Sequence, residues 1–183
     1  ERVHLLAAHL LDEQMPDGGW NCRRHRGATH ASFHTTTSAL EGLHEYSIAH
    51  PDSDLPVDAA MGRGREFLLQ HHLYRSHRTG EIVSAPMTRF PFPPYWQHDV
   101  LRALDHFAAA DAAQDERARD PVDLVLGRRD EHGRWPQYRH TSGTTYFNLE
   151  APGKPSRTNT FRALRLARWW FGSQSTSIPT RLE

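Results

Sequence analysis

Apolar residues recur along this chain at intervals of three and four, the spacing that lays one stripe along an α-helix. Three segments share it and close on an aromatic: Ala39-Leu40-x-x-Leu43-x-x-Tyr46, Val100-Leu101-x-x-Leu104-x-x-Phe107 and Ala163-Leu164-x-x-Ala167-x-x-Trp170. A second helix is predicted before each. Val3 to Gln14 carries Leu5, Leu6, His9 and Leu10 at helical spacing; Met61 to His72 carries Phe67, Leu68 and Leu69; Asp120 to Arg129 carries Val122, Val125 and Leu126, with Pro121 in the first turn, where its missing N–H costs little. Each of these ends in a glycine turn, at Gly18-Gly19, Gly80 and Gly133.

The unit so predicted is helix, glycine turn, long loop, helix. It occurs three times, over about 1–50, 57–110 and 115–171. A hairpin of two helices cannot bury its stripe alone, so the hairpins should stack on one another in one all-α domain over residues 1–171. The loops 75–95 and 134–156 are long for a compact domain, and loops of that length are often functional. Pro86, Pro91, Pro93, Pro94, Pro136, Pro152 and Pro155 make them stiff. The polar run from Gly172 predicts a disordered tail over 172–183.

Composition narrows the function classes. With 22 basic and 22 acidic residues the net charge is zero, which gives no ground for expecting nucleic acid as a partner. Cys22 is the only cysteine, so no intrachain disulfide can form. No run approaches the roughly 18 apolar residues of a transmembrane helix. Glu1-Arg2-Val3-His4-Leu5 opens an amphipathic helix rather than a signal peptide, and a cytoplasmic location is expected. Three hairpins leave apolar faces at both ends. Self-association, or a missing N-terminal half, is therefore expected as well.

Gln14-Met15-Pro16-Asp17-Gly18-Gly19-Trp20 resembles the glutamine–tryptophan repeat of squalene and oxidosqualene cyclases. Arg129 to Trp135 is a degenerate second copy that keeps Gly133 and Trp135. Terpene cyclases and the β-subunits of protein prenyltransferases share an α/α toroid, with inner helices lining a central cavity and outer helices around them. The resemblance implies that Ser38–Tyr46, Gln97–Phe107 and Thr158–Trp170 are inner helices, and that the chain forms three hairpins, about half a barrel. It implies a structural role for Gln14, Asp17, Gly18, Trp20, Gly133 and Trp135: the Gln bridges backbone groups of two outer helices and the Trp stacks on them.

The family's chemistry does not carry over with the motif. Class II cyclases protonate an alkene with an Asp-x-Asp-Asp motif, and none is present; Asp52-Ser53-Asp54-Leu55 comes nearest and falls in an interhelical turn. The Asp-rich metal motif of class I synthases is absent too. Prenyltransferases hold zinc with an Asp-x-Cys pair and a distant His, and Cys22 follows Trp20-Asn21 instead. What remains is polar residues at the predicted helix starts. His34, His98 and Asp99 are the candidate catalytic groups. Thr37, Tyr95, Trp96, Tyr146 and Asn159 are candidate ligand contacts, the aromatics because they suit a polyisoprenoid or a developing carbocation. Cys22-x-x-His25 is a local spacing that could hold zinc if further ligands join it. Ser32, Thr35 to Thr37, Ser156 and Thr158 equally fit N-caps.

Three functions follow as expectations. The first is a cyclase-like or prenyltransferase-like toroid that binds an isoprenoid or another small apolar ligand. If it is an enzyme, it belongs to the cyclase or prenyl-transfer class. The second is a non-catalytic module that binds a protein or lipid partner. The third is a zinc-dependent enzyme on the same scaffold.

Overall fold

The computed structural model describes residues 1–139 and 147–172. The predicted tail falls almost wholly outside them. The chain divides into two compact units, Glu1–Leu73 and Tyr74–Glu183. Its described regular structure is overwhelmingly helical, so the molecule is all-α.

The first unit contains α1 (Arg2–Asp12), α2 (Phe33–Ala49) and α3 (Val57–Gln70). Helix α2 starts at Ser32, whose hydroxyl accepts a hydrogen bond from Thr35 N, and stops before Pro51. Helix α3 follows Pro56 directly. It packs along α2, and α1 lies against both. Leu40, Leu43, Ala60 and Leu68 are wholly buried between them. Each such Leu contributes about 1.5–3 kcal/mol relative to an exposed position. Close approaches here need glycine. A Cβ on Gly64 of α3 would come within 2.7 Å of the Trp20 ring and 2.9 Å of Leu40 Cδ2. Gly18 has φ of +90°, and a Cβ there would meet the Arg63 carbonyl at 2.7 Å.

The second unit contains α4 (Val100–Ala109), α5 (Arg119–Leu126) and α6 (Arg157–Phe171), with a short antiparallel pair, β1 (Trp135–Pro136) and β2 (Pro155–Ser156). Helix α4 packs on α6, and α5 packs on both. Val100, Leu101, Ala103, Leu104, Val122, Val125, Trp135, Ala163 and Leu166 form its wholly buried core.

Each of the six predicted helical segments forms a helix. The starts of α2 and α3 lie several residues earlier than the apolar stripes alone predicted, because Ser32 and Pro56 set them. Two stripes are rotated. Leu5 and Leu6, read as part of the α1 stripe, are 63% and 64% exposed, and the buried residue of α1 is Ala7. Leu164, read as part of the third stripe, is 46% exposed. The buried face of α6 is Asn159, Arg162, Ala163, Leu166, Ala167 and Trp170. Two of its members are polar, and a hydrophobic pattern has no way to count them.

Candidate functional site

The two glycine–tryptophan turns are bonded alike. The Trp20 indole N–H donates to Leu10 O at 2.6 Å, and the Trp135 indole N–H donates to Val125 O at 2.6 Å. Trp20 N donates to Thr36 Oγ1 at 2.9 Å, and Trp135 N to Thr160 Oγ1 at 3.0 Å. Met15 N donates to Gly19 O and Asp130 N to Arg134 O, closing the two turns. Gly18 and Gly133 both take positive φ, +90° and +77°. Each Trp thereby ties a helix end to the start of the next long helix, through its indole and its own backbone.

Gln14 extends the first turn across the unit. Its Nε2 donates to Gly18 O at 2.7 Å and to Ala60 O of α3 at 2.8 Å, while its Oε1 accepts from Arg63 Nε at 2.9 Å. Asp17 Oδ2 accepts from Ala31 N at 2.8 Å and pins the loop that returns to α2. Arg129 stands in the place of Gln14 in the second copy.

The polar residues expected at helix starts are there, but much of their capacity is already used. Ser32, Asp99 and Ser156 cap α2, α4 and α6, accepting from Thr35 N, Arg102 N and Asn159 N. At α6 the Glu150 carboxylate also accepts from Arg157 N at 2.8 Å and from the Ser156 hydroxyl. That carboxylate occupies the place where an anionic ligand would bind. His34 is half-buried on the first turn of α2, and Thr37 is wholly buried one turn on.

In the second unit these residues are brought together beneath one loop. Asn159 is wholly buried, and its Nδ2 donates to Phe90 O at 2.6 Å and Pro136 O at 3.0 Å. Gln137 clamps Phe92 from both sides: Nε2 donates to Phe92 O at 2.6 Å, and Oε1 accepts from Phe92 N at 3.2 Å. Arg102 Nη1 donates to Gln97 O at 2.8 Å. Three buried side chains therefore anchor this loop at Phe90, Phe92 and Gln97, on either side of Tyr95 and Trp96. Tyr95 and Trp96 are 52% and 61% exposed. Tyr95 sits at φ of +50°, a left-handed conformation that costs a non-glycine residue about 1–2 kcal/mol. Tyr146, the other aromatic expected here, lies outside the described residues.

His98 and Asp99 lie at the foot of the loop, each 2% exposed. Asp99 Oδ1 accepts from Arg102 N at 2.8 Å. Its Oδ2 is buried with no hydrogen-bond partner. Burial pushes this carboxyl up to about 6, against the opposing pull of Arg162, of the Arg102 N–H and of the Arg102 charge. Nearby, Arg162 is itself 5% exposed and pairs with Asp105 Oδ2 at 3.2 Å, while Arg165 holds Asp105 Oδ1. Asp105, Gln137 and Glu150 were not singled out from sequence. Their partners lie in other elements, and only the fold brings them within reach.

Two other places in the first unit carry polar groups. An open cleft of about 550 Å³ lies at the tip of the α2–α3 hairpin, lined by Tyr46, His50, Ser53, Leu55, Pro56 and Asp58, among others. Within it the Tyr46 hydroxyl bonds Ser53 Oγ at 2.8 Å and His4 Nδ1 at 2.8 Å. Asp52 and Asp54 of the same turn are exposed. Cys22 and His25 are also exposed, and His25 Nε2 accepts from Arg26 Nε at 3.1 Å. Among the described residues no group of three His, Cys, Asp or Glu side chains is placed to hold a metal ion. No helix among the described residues is long and apolar enough to cross a membrane.

No family model, no curated protein and no solved structure matches the chain.

Proposed function

We propose that the chain is part of an α/α-toroid wall of the terpene cyclase and prenyltransferase kind, and that it binds an isoprenoid or a similar apolar ligand against the Tyr95–Trp96 loop. One observation carries the ligand reading. Two large aromatic residues, 52% and 61% exposed, stand on a loop that buried Gln137, Asn159 and Arg102 anchor on either side of them. Ordering a loop ahead of binding removes an entropic cost from the binding step. Aromatic faces suit polyene chains and developing positive charge. The toroid reading is supported by the paired turns: Gln14 bridges the first turn to α3, and both Trp indoles donate to a carbonyl of the helix before the turn.

Asp99 is the group we assign to proton transfer at this site. It is buried, has one unpartnered oxygen, and is held near 6, so a fraction remains protonated at neutral pH. Neutral polyprenyl alcohols are favoured over diphosphates as ligands, because Glu150 already sits on the α6 amides.

Calorimetric titration with a series of polyprenyl alcohols tests this reading. Saturable binding that tightens with chain length is expected, and W96A should weaken it about tenfold, the loss of roughly 1.4 kcal/mol of contact. Absence of saturable binding for every chain length would contradict the ligand reading. The same chain lengths should be assayed for altered products with wild type and D99N. Turnover that persists in D99N would remove the proton-transfer role. The exposed aromatics also fit a non-catalytic module with a protein partner; binding without any product is the result that would favour it.

A further inference from the structure

Two helical faces stand exposed although their counterparts elsewhere in the molecule are buried. The bonds of the two tryptophan turns set the correspondence: Trp20 with Trp135, Leu10 with Val125, and Thr36 with Thr160. In that register Phe161 and Leu164 of α6 stand where α2 has Thr37 and Leu40. Thr37 and Leu40 are wholly buried, whereas Phe161 and Leu164 are 63% and 46% exposed. Leu40 is covered by α3, with Gly64 pressed against its side chain.

Helix α1 has the reciprocal gap. In the same register its Val3 and Leu6 stand where Ala118 and Pro121 lie at the start of α5. Ala118 and Pro121 are buried, in a segment packed against α4. Val3 and Leu6 are 53% and 64% exposed. So α6 wants the kind of neighbour that α2 has in α3, a helix laid along its Leu. Conversely, α1 wants the kind that α5 has in α4.

We infer that these two faces meet between copies of the chain: α1 of one copy seats on the Phe161–Leu164 face of α6 of the next, head to tail. The contact reproduces on each side a packing already present inside the molecule. It needs no ligand and stands apart from the isoprenoid reading. Because the two faces differ, the contact is heterologous. Each copy uses each face once, and the assembly either closes into a ring or grows as a chain. Removing four large apolar side chains from water drives it.

Sedimentation velocity of the 183-residue chain over a range of micromolar concentrations, with L6E and L164E, tests the inference. Both positions are exposed, so far-UV circular dichroism and thermal melting should match wild type. Wild type should associate with rising concentration, and each variant alone should sediment as a monomer. An equimolar mixture of the two should form a dimer and nothing larger: L164E keeps its α1 face, L6E keeps its α6 face, and one intact contact results. Three results would overturn the proposal. They are a monomeric wild type at the highest concentration, association that survives in either variant alone, and a mixture that stays monomeric. The second assigns the contact to one face meeting itself; the first and third assign both faces to some other segment or partner.

Discussion

Asp99 combines two roles that pull in opposite directions. As an N-cap it stabilises α4 by satisfying Arg102 N, an effect of about 1 kcal/mol for such residues. As a buried carboxylate it disfavours the folded state when charged. Its carboxyl titrates near 6 in the folded protein against a reference of 3.8. The folded state therefore binds the proton more tightly than the unfolded chain. Stability from this group is fully present below about pH 4 and is lost as pH rises through about 6. Two units correspond to at most about 3 kcal/mol. D99N keeps a good capping side chain and removes the charge. It should melt higher than wild type at pH 7.5, with the difference shrinking as pH falls towards 4. D99A loses the cap along with the charge, so its gain at pH 7.5 should be smaller. A D99N protein that melts lower than wild type across this range would mean that the charged carboxylate is paired more strongly than its buried, unpartnered Oδ2 indicates.

At the scale of elements, the tryptophan turns do the joining. Gly18, Gly19 and Gly64 are positions where the joint has no spare room. G64A should cost about 1–3 kcal/mol, because the added methyl would press on both Trp20 and Leu40. W135F should cost about 0.5–1.5 kcal/mol by removing the indole donor to Val125 O, which keeps Arg128 N as a donor. Chemical denaturation of each variant measures both; losses under a few tenths would mean that the turns are ornaments on hairpins held by other contacts. Much of this level was legible in the sequence. The three-and-four spacing located six helices, and Pro, Gly and Ser marked their ends. The spacing located α6 but not its rotation. Leu164 reads as core because it is apolar, while Asn159 and Arg162 read as surface because they are polar. Asn159 and Arg162 are buried because Phe90 O and Asp105 lie opposite them, and those partners come from more than fifty residues away. The brace of Gln137 on Phe92 escaped notice for the same reason: a lone Gln in a loop carries no periodic signal.

At the scale of the molecule, the second unit offers an exposed aromatic loop standing over buried polar residues, and the chain carries two apolar faces on α1 and α6. Candidate residues were found from sequence more readily than their roles. His98, Asp99 and Asn159 are buried in the second unit. Asp99 caps α4 and Asn159 holds the loop backbone at Phe90, so both have structural work beside any role at a ligand. Cys22 and His25 stay on the surface, where a two-residue spacing by itself makes no metal centre. Tyr95 and Trp96 gain weight from the structure, because buried side chains anchor the loop on either side of them while both stay more than half exposed. Sequence could supply the aromatics, but not the buried side chains that hold them out.

Tryptophans of this one chain stand in opposite settings: Trp20 and Trp135 are buried in joints, and Trp96 is 61% exposed on the loop proposed to meet a ligand. The protein has five tryptophans, and their indole N–H signals can be followed one by one by nuclear magnetic resonance while a polyprenyl alcohol is added. Trp96 should shift on binding. Trp20 and Trp135 should exchange slowly and stay in place throughout. Movement of the joint indoles while Trp96 stays still, or no shift at any indole, would contradict the ligand reading.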